Sequence, residues 1–377
     1  MSVGRTPPPS SPWSRTVGVI GGGQLGRMLA LAGIRLGLRF RFLDPNPDPP
    51  VRELGTVVRA AYDDPEVLEA FGEGLDVITY EFENVPAGAA KRLASMALVL
   101  PPPAALEMTQ DRLAEKEAFR RLGIPTPPFA AVDGFAELEG AVRELGFPVV
   151  LKTRRFGYDG KGQRVLRAEP EVTPAWEALG GVPLLAEGFV SFERELSILG
   201  VRGREGETLF YPLVENVHRE GILRTSRAPA ERLAEGRQQE AEEIAARILD
   251  ELDYVGVLAV ELFDTSKGLL ANEIAPRVHN SGHWTQDGAA TSQFENHLRA
   301  ILGLPLGSPE PRGWSGMVNL LGTMPEPAAL LALPGTHLHL YDKPPAPGRK
   351  LGHVNVVAAS PGERERKIAL VEEVLRG

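Results

Sequence analysis

The chain has no cysteine, which excludes disulfides, thiolate nucleophiles and thiolate-bound metals and makes a reducing cytoplasm the default setting. It also lacks an apolar run long enough to span a bilayer. Its first residues, MSVGRTPPPSSPWSR, have no apolar core like that of a secretion signal, and a disordered Pro- and Ser-rich tail is expected over 1–15. Positive charge is in deficit: 41 Lys and Arg against 50 Asp and Glu leave a net charge of -9. A general nucleic-acid binder needs a positive face, so nucleic acid is set aside as a partner, as is membrane. A small phosphorylated substrate in a local basic pocket remains compatible with an acidic chain. What is present is globular composition, 43% apolar and 24% charged, and 377 residues suffice for two or three cores.

From Thr16 onward strands and helices alternate. Residues 17–20 read as a buried strand, a Gly-rich turn follows, and Leu25, Met28, Leu29 and Ala32 recur at helical spacing before a strand at 39–44. Further strands at 56–60, 76–81 and 97–100 and helices at 65–71 and 87–95 make 16–108 a parallel α/β domain. A helix over 109–122 opens a second region, 109–304. It holds strand, helix and strand at 129–132, 135–145 and 149–152, a strand-rich stretch over 184–227, and helices at 231–252 and 292–302. The remainder, 305–377, reads as a small β-rich unit with a final helix.

The most informative stretch is VGVLAVELFDTSKGLLANEIA, residues 255–275, two apolar strands around a polar turn. Symmetric pairing about that turn sets Glu261 opposite Glu273. Facing like charges among Val, Leu and Ile cost stability, and a cation between them removes that cost. Hard oxygen ligands favour Mg²⁺, which shares its coordination with substrate phosphates. Two solvated Glu on an edge hairpin are the plainer alternative. Directly downstream, APRVHNSGHW clusters Arg277, His279, Asn280 and His283, groups suited to an anion.

Other motifs carry less on their own. Gly21, Gly23 and Gly26 satisfy G-x-G-x-x-G after a strand, with Asp44 downstream as in dinucleotide sites. Dinucleotide binding, phosphate contact and simple close packing all stand as readings. FGYDGKGQ places Gly157, Gly160 and Gly162 around Lys161, a loop able to close over phosphates with Lys152 beneath it, or merely a surface hairpin. Glu187–Val190 has the character of a connector between lobes that meets a purine edge, with Glu195 placed for ribose; a lone His218 is more often structural. Glu81 and Glu83 end a strand where open sheets bind ligands. Lys343, Arg349 and Lys350 form a phosphate grip or a solvated basic turn.

Together these residues resemble the ATP-grasp superfamily and, within it, the N5-carboxyaminoimidazole ribonucleotide synthetases. GGGQLGRM, TYEFENVP, DRLAEKEAF, FGYDGKGQ, GILRTSRAP, NEIAPRVHNSGHWTQ and YDKPPAPGRKLGHVN occur in the family's order between Thr16 and Ala358. The resemblance implies a three-domain cytoplasmic ligase, an α/β and α+β ATP-grasp fold, that is generally a homodimer. It would carboxylate 5-aminoimidazole ribonucleotide with ATP and bicarbonate through carboxyphosphate, giving ADP and phosphate. By similarity Arg112, Lys152 and the loop Gly157, Tyr158, Asp159, Gly160, Lys161, Gly162 and Gln163 would hold ATP phosphates. Glu187, Gly188, Phe189 and Val190 would meet adenine and Glu195 the ribose, with His218 and Asn272 nearby. Glu261 and Glu273 would bind Mg²⁺, and Arg277, His279, Asn280 and Lys152 would serve catalysis. Gln24, Leu25, Glu81 or Glu83, Lys343, Arg349 and Lys350 are candidates for the ribonucleotide. Two departures stand out: Ala275 occupies a position where many ATP-grasp enzymes carry Asn, and no match extends beyond about Ala359. A formate-using ribonucleotide ligase on the same scaffold is the nearest alternative, and an NAD(P)-binding oxidoreductase a remote one.

Overall fold

The computed structural model describes residues 15–157 and 160–376; the expected tail through Ser14, and Tyr158 and Asp159 of the Gly-rich loop, lie outside the described residues. Three sheets organise the chain. In the first, parallel strands run in the order Thr56–Val58, Arg39–Leu43, Thr16–Ile20, Val77–Tyr80. Parallel strands covered on both faces need near-continuous apolar runs, and Val17, Val19, Phe42, Val77 and Ile78 are buried accordingly. The strand expected at 97–100 amounts to one bridge. The Ile78 amide donates to Leu98 O and the Leu100 amide to Ile78 O, each at 2.8 Å, before Pro101 and Pro102 remove further donors.

The helix expected over 109–122 is found at Arg112–Arg121, behind a separate helix that was not expected, Pro103–Thr109. Asp111 divides them, because its carboxylate accepts from the Leu113 and Ala114 amides and starts the second helix as an N-cap. The helix expected from 231 runs instead over Arg237–Glu251, directly after Gly236 in the left-handed conformation at φ 80°.

The second sheet is antiparallel, in the order Phe129–Val132, Leu184–Gly188, Val149–Thr153, Gln163–Leu166. The third has nine strands. Its order is Gly268–Ala275, Gly256–Thr265, Arg194–Arg202, Val214–Arg219, Ile222–Ala228, Trp314–Leu321, Lys350–Ala358, Thr336–Leu340, with Thr208–Phe210 also on Arg194–Arg202. The strands of 305–377 thus extend the central sheet. A three-stranded piece with one short and one long helix makes a thin core alone; joined here, Val318, Leu320, Val354 and Val356 pack under helix Pro361–Arg376, with Leu330 of the short helix Pro327–Leu331 beside them. Helix Gln293–Ile301 ties the first sheet to the third: His297 Nδ1 accepts the Val257 amide at 3.1 Å, and its Nε2 meets Thr79 Oγ1 at 2.9 Å. Among the described residues, no helix is long and apolar enough to cross a membrane.

Candidate active site

Strand Gly256–Thr265 turns through Ser266 and Lys267 into Gly268–Ala275. Near the turn Thr265 faces Gly268 and Leu262 faces Ala271, so the symmetric pairing expected to set Glu261 against Glu273 would instead put Glu261 opposite Asn272. A bulge intervenes. Asn272 is the extra residue, and Glu261 faces Glu273. All three line one cavity of about 460 Å³ between the sheets.

The two acids differ electrostatically. Burial and the charge of Glu273 push the Glu261 carboxyl up, while His218 opposes the rise. Burial also acts upward on Glu273, but Arg112, whose Nη1 donates to Glu273 Oε2 at 2.8 Å, holds that carboxyl well below the usual range. Two facing carboxylates, one of them pushed up by burial and by its neighbour's charge, fit a divalent cation that would favour the ionised form of both. Asn280 lies in the same wall with its Oδ1 and Nδ2 buried and unpartnered among the described residues. No three His, Asp or Glu side chains among the described residues form a ready-made metal cage, so a cation here would complete its shell with substrate oxygens.

Cations stand on the opposite wall. Lys152, at the end of Val149–Thr153, donates to Glu187 Oε2 at 2.9 Å and to Asn272 Oδ1 at 3.3 Å. Glu187 is 3% exposed, so its carboxylate aims Lys152 rather than facing a ligand. Glu187, Gly188, Phe189 and Val190 do not line the cavity; the Gly188 amide donates to Pro128 O and that of Phe189 to Pro148 O. The segment instead carries the chain from the second sheet to the third.

Above Lys152, Gly157, Gly160 and Gln163 line the cavity, whereas Lys161 and Gly162 do not. Arg112 Nη2 donates to Gly157 O at 3.4 Å. Gly160 lies so close to the Glu220–Gly221 turn of the large sheet that an added Cβ would come within 2.9 Å of Glu220 O. The loop therefore crosses from one sheet to the other. Across the cleft, His218 Nδ1 and Glu195 Oε2 pair at 2.8 Å.

The APRVHNSGHW cluster forms the floor. Arg277 Nε donates to Glu83 Oε2 at 2.5 Å, and its Nη1 to Val278 O at 2.9 Å, so the guanidinium is held in place. Burial, then Arg277, push the His279 ring down to about 3, which keeps it neutral. His279 Nε2 lies 3.5 Å from Glu261 Oε1.

The Gly-rich turn resolves one open reading. The Gly23 and Gly26 amides donate to the two oxygens of Glu81, at 2.6 and 2.9 Å, and the Gly22 amide donates to Asp44 Oδ2 at 2.6 Å. A dinucleotide site needs these donors for pyrophosphate; here carboxylates of the chain itself fill the turn. The glycines serve that approach, since a Cβ on Gly23 would sit 2.4 Å from Glu81 Oε1. Gln24, Leu25, Glu81, Glu83 and Lys350 line the cavity; Lys343 and Arg349 do not. Lys343 Nζ instead donates to Gln24 Oε1, and Arg349 Nη1 to Pro344 O at 3.0 Å.

Two buried charges escaped the sequence reading. Glu115 lines the cavity and accepts the Ile274 amide at 2.7 Å. Lys116, 1% exposed, donates to Asn272 O at 2.8 Å and lies 3.7 Å from Glu187. Both sit on a helix whose charged composition reads as solvated, and only their tertiary position gives them away.

The two-lobed sheets with cations facing paired acids define a ligase of the ATP-grasp class. An ATP-grasp domain model matches residues 117–294, a ribonucleotide synthetase preATP-grasp domain 14–110, and a phosphoribosylaminoimidazole carboxylase C-terminal domain 315–367. The N5-carboxyaminoimidazole ribonucleotide synthase of Pseudomonas aeruginosa is 51% identical over 359 residues, covering 95% of this chain and 99% of the relative. The crystal structure of the Thermus thermophilus synthetase superposes with TM-score 0.91 at 54% identity, over 95% and 98% of the two chains. An Aspergillus clavatus synthase solved with ADP and 5-aminoimidazole ribonucleotide superposes with TM-score 0.89 at 34% identity, over 97% and 100%. The chain belongs to the N5-carboxyaminoimidazole ribonucleotide synthase family.

Proposed function

We propose that the chain uses ATP and bicarbonate to carboxylate the amine of 5-aminoimidazole ribonucleotide, giving the N5-carboxylated ribonucleotide, ADP and phosphate. One observation carries the reading: a single cavity joins Arg112, Lys152 and the Glu261–Glu273 pair to Arg277, His279 and Asn280, and then to Gln24 and Lys350. That continuity supports three reactants meeting without release of an intermediate.

In this reading Arg112, Lys152, Asn272 and the loop from Gly157 to Gln163, with Tyr158, Asp159, Lys161 and Gly162 within it, hold the ATP phosphates. Adenine lies beside the cavity against the backbone of 187–190, where Glu187 turns its side chain to Lys152, and its ribose lies against Glu195, with His218 behind that acid. Glu261 and Glu273 hold magnesium, which when bound neutralises charge on phosphate oxygens. Arg277, fixed in advance by Glu83, receives bicarbonate beside His279 and Asn280, so little reorganisation is needed as charge develops. A bicarbonate oxygen attacks the γ-phosphorus and ADP leaves. Carboxyphosphate is labile in water, and the loop that crosses the cleft keeps water out. Gln24, Leu25, Glu83 and Lys350 meet the ribonucleotide, with Glu81, Lys343 and Arg349 supporting them. We further propose domain limits near 108 and 304, and a homodimer. ADP release should require both bicarbonate and 5-aminoimidazole ribonucleotide; release that ignores bicarbonate would overturn the reading.

A further inference from the structure

We infer that a buried relay of hydroxyl and amide groups fixes His279 as the Nε2–H tautomer, making it a hydrogen-bond donor to the carboxylation centre and not the base for the amine. The inference rests on the carboxylation reading for its chemistry, though not for the tautomer itself.

The direction of the relay is fixed at its near end, and the groups behind follow it. At the near end, the Ser281 backbone amide points at His279 Nδ1 at 3.4 Å. An amide N–H can only donate, so Nδ1 accepts. At the far end, Ser226 Oγ donates to Asn216 Oδ1 at 2.7 Å, and Asn216 Nδ2 donates to Ser197 Oγ at 2.9 Å. The single hydroxyl proton of Ser197 goes to Ser281 Oγ at 2.8 Å. The single hydroxyl proton of Ser281 then has His279 Nδ1 as its acceptor, at 2.9 Å. Ser197, Ser226 and Ser281 are fully buried and Asn216 is 4% exposed, so water does not compete along the line.

The backbone donor sets the polarity and the serine and asparagine contacts are consistent with it: the lone pair of Nδ1 is committed, and the ring proton sits on Nε2. The ring is therefore neutral with its N–H facing Glu261 Oε1 and the cavity. Ser197 also stands beside Glu261 in the strand register, so the relay runs directly beneath the acidic pair. An Nε2 that already carries a proton cannot take one from an incoming amine, but it stabilises an anionic carbonate or carboxyphosphate oxygen. The amine proton must go elsewhere. As the carbon–oxygen bond of carboxyphosphate breaks to release CO₂ and HPO₄²⁻, the amine attacks CO₂. The new N–C bond forms, an N–H bond breaks, and HPO₄²⁻ becomes H₂PO₄⁻. Ser281, Ser197 and Asn216 are positioning residues in this scheme.

The test combines imidazole NMR with kinetics on the full chain. In protein carrying nitrogen-15 histidine, with His279→Gln used for assignment, the His279 ring should show a protonated Nε2 and a bare Nδ1. A proton on Nδ1 overturns the inference, whatever the activity. His279→Gln keeps a donor near Nε2 but cannot accept a proton, so it should retain kcat within roughly tenfold of wild type. His279→Ala should lose about 100-fold or more, the usual cost of a deleted oxyanion donor. Equal losses in the two folded variants would mark a base instead. Ser281→Ala keeps the backbone amide on Nδ1 and removes only the hydroxyl donor, so it should leave the proton on Nε2, shift the Nδ1 signal and lower kcat about 3- to 10-fold, the scale of one hydrogen bond, with the KM for ATP unchanged. Unaltered ring signals would remove Ser281 from the relay. If ADP release proves independent of bicarbonate, the proposed function fails while the tautomer result still stands.

Discussion

Glu261 faces Glu273 only because Asn272 is an extra residue in its strand. Regular pairing from the turn would set Glu261 against Asn272 and move Glu273 out of register with it. The bulge brings the second carboxylate level with the first while leaving Asn272 within 3.3 Å of Lys152. One inserted residue thus aligns an acid pair and links it to the cation on the other wall.

Glu273→Ala should abolish bicarbonate-dependent ATP turnover, by at least about 100-fold, because it removes one of the two carboxylates proposed to hold magnesium against phosphate. Steady-state ADP release beside a circular-dichroism melt makes the comparison. Turnover near the wild-type rate in a folded variant contradicts the metal role.

Glu187→Ala should act on stability as much as on catalysis. It strips the partner from Lys152 and from Lys116, both almost fully buried. Removing one member of a buried ion pair costs about 3–5 kcal/mol. Urea denaturation reads this directly, and a loss below about 1 kcal/mol would mean that water already screens these charges.

His218 sets a pH dependence. Burial pushes its ring down, but the hydrogen bond to Glu195 and nearby acids outweigh burial and raise its affinity for a proton. The folded value lies above the unfolded one, about 6.5. Its stabilising contribution is therefore complete below that pH and is lost as pH rises through the raised value. Glu195→Gln should remove this part of the alkaline decline in Tm; an unchanged decline would assign it to other groups.

Lys350→Ala should raise the KM for the ribonucleotide about tenfold or more, the scale of a charge-assisted contact, with kcat less affected. Lys350 lines the cavity, whereas Arg349 bonds to Pro344 O outside its wall. Arg349→Ala should consequently have the smaller effect. The reverse order would move the phosphate grip outward. Lys343→Ala should also raise this KM, through release of Gln24.

Much of this was legible in the residues. Val17, Val19, Val77 and Ile78 read as buried strands because parallel sheets demand such runs, and the hairpin turn was plain from its polar residues. The nine-stranded sheet was not legible, since pairing between Ile222–Ala228 and Trp314–Leu321 joins segments far apart in sequence. Asp111 carried a local N-cap signal that a continuous helical pattern concealed. The Gly-rich turn misled in a different way. Its glycines fit phosphate binding and close packing equally well, and only the side chains of Glu81 and Asp44 decide between them. The Asn272 bulge has no clear local signature, yet it puts the expected acids face to face.

The central claim is that a bicarbonate oxygen attacks phosphorus in this cavity. Turnover of bicarbonate labelled with oxygen-18, followed by mass spectrometry of the released phosphate, tests it most directly. Attack at phosphorus predicts one labelled oxygen in each phosphate formed. Phosphate free of label, released while the ribonucleotide is carboxylated, would contradict the account.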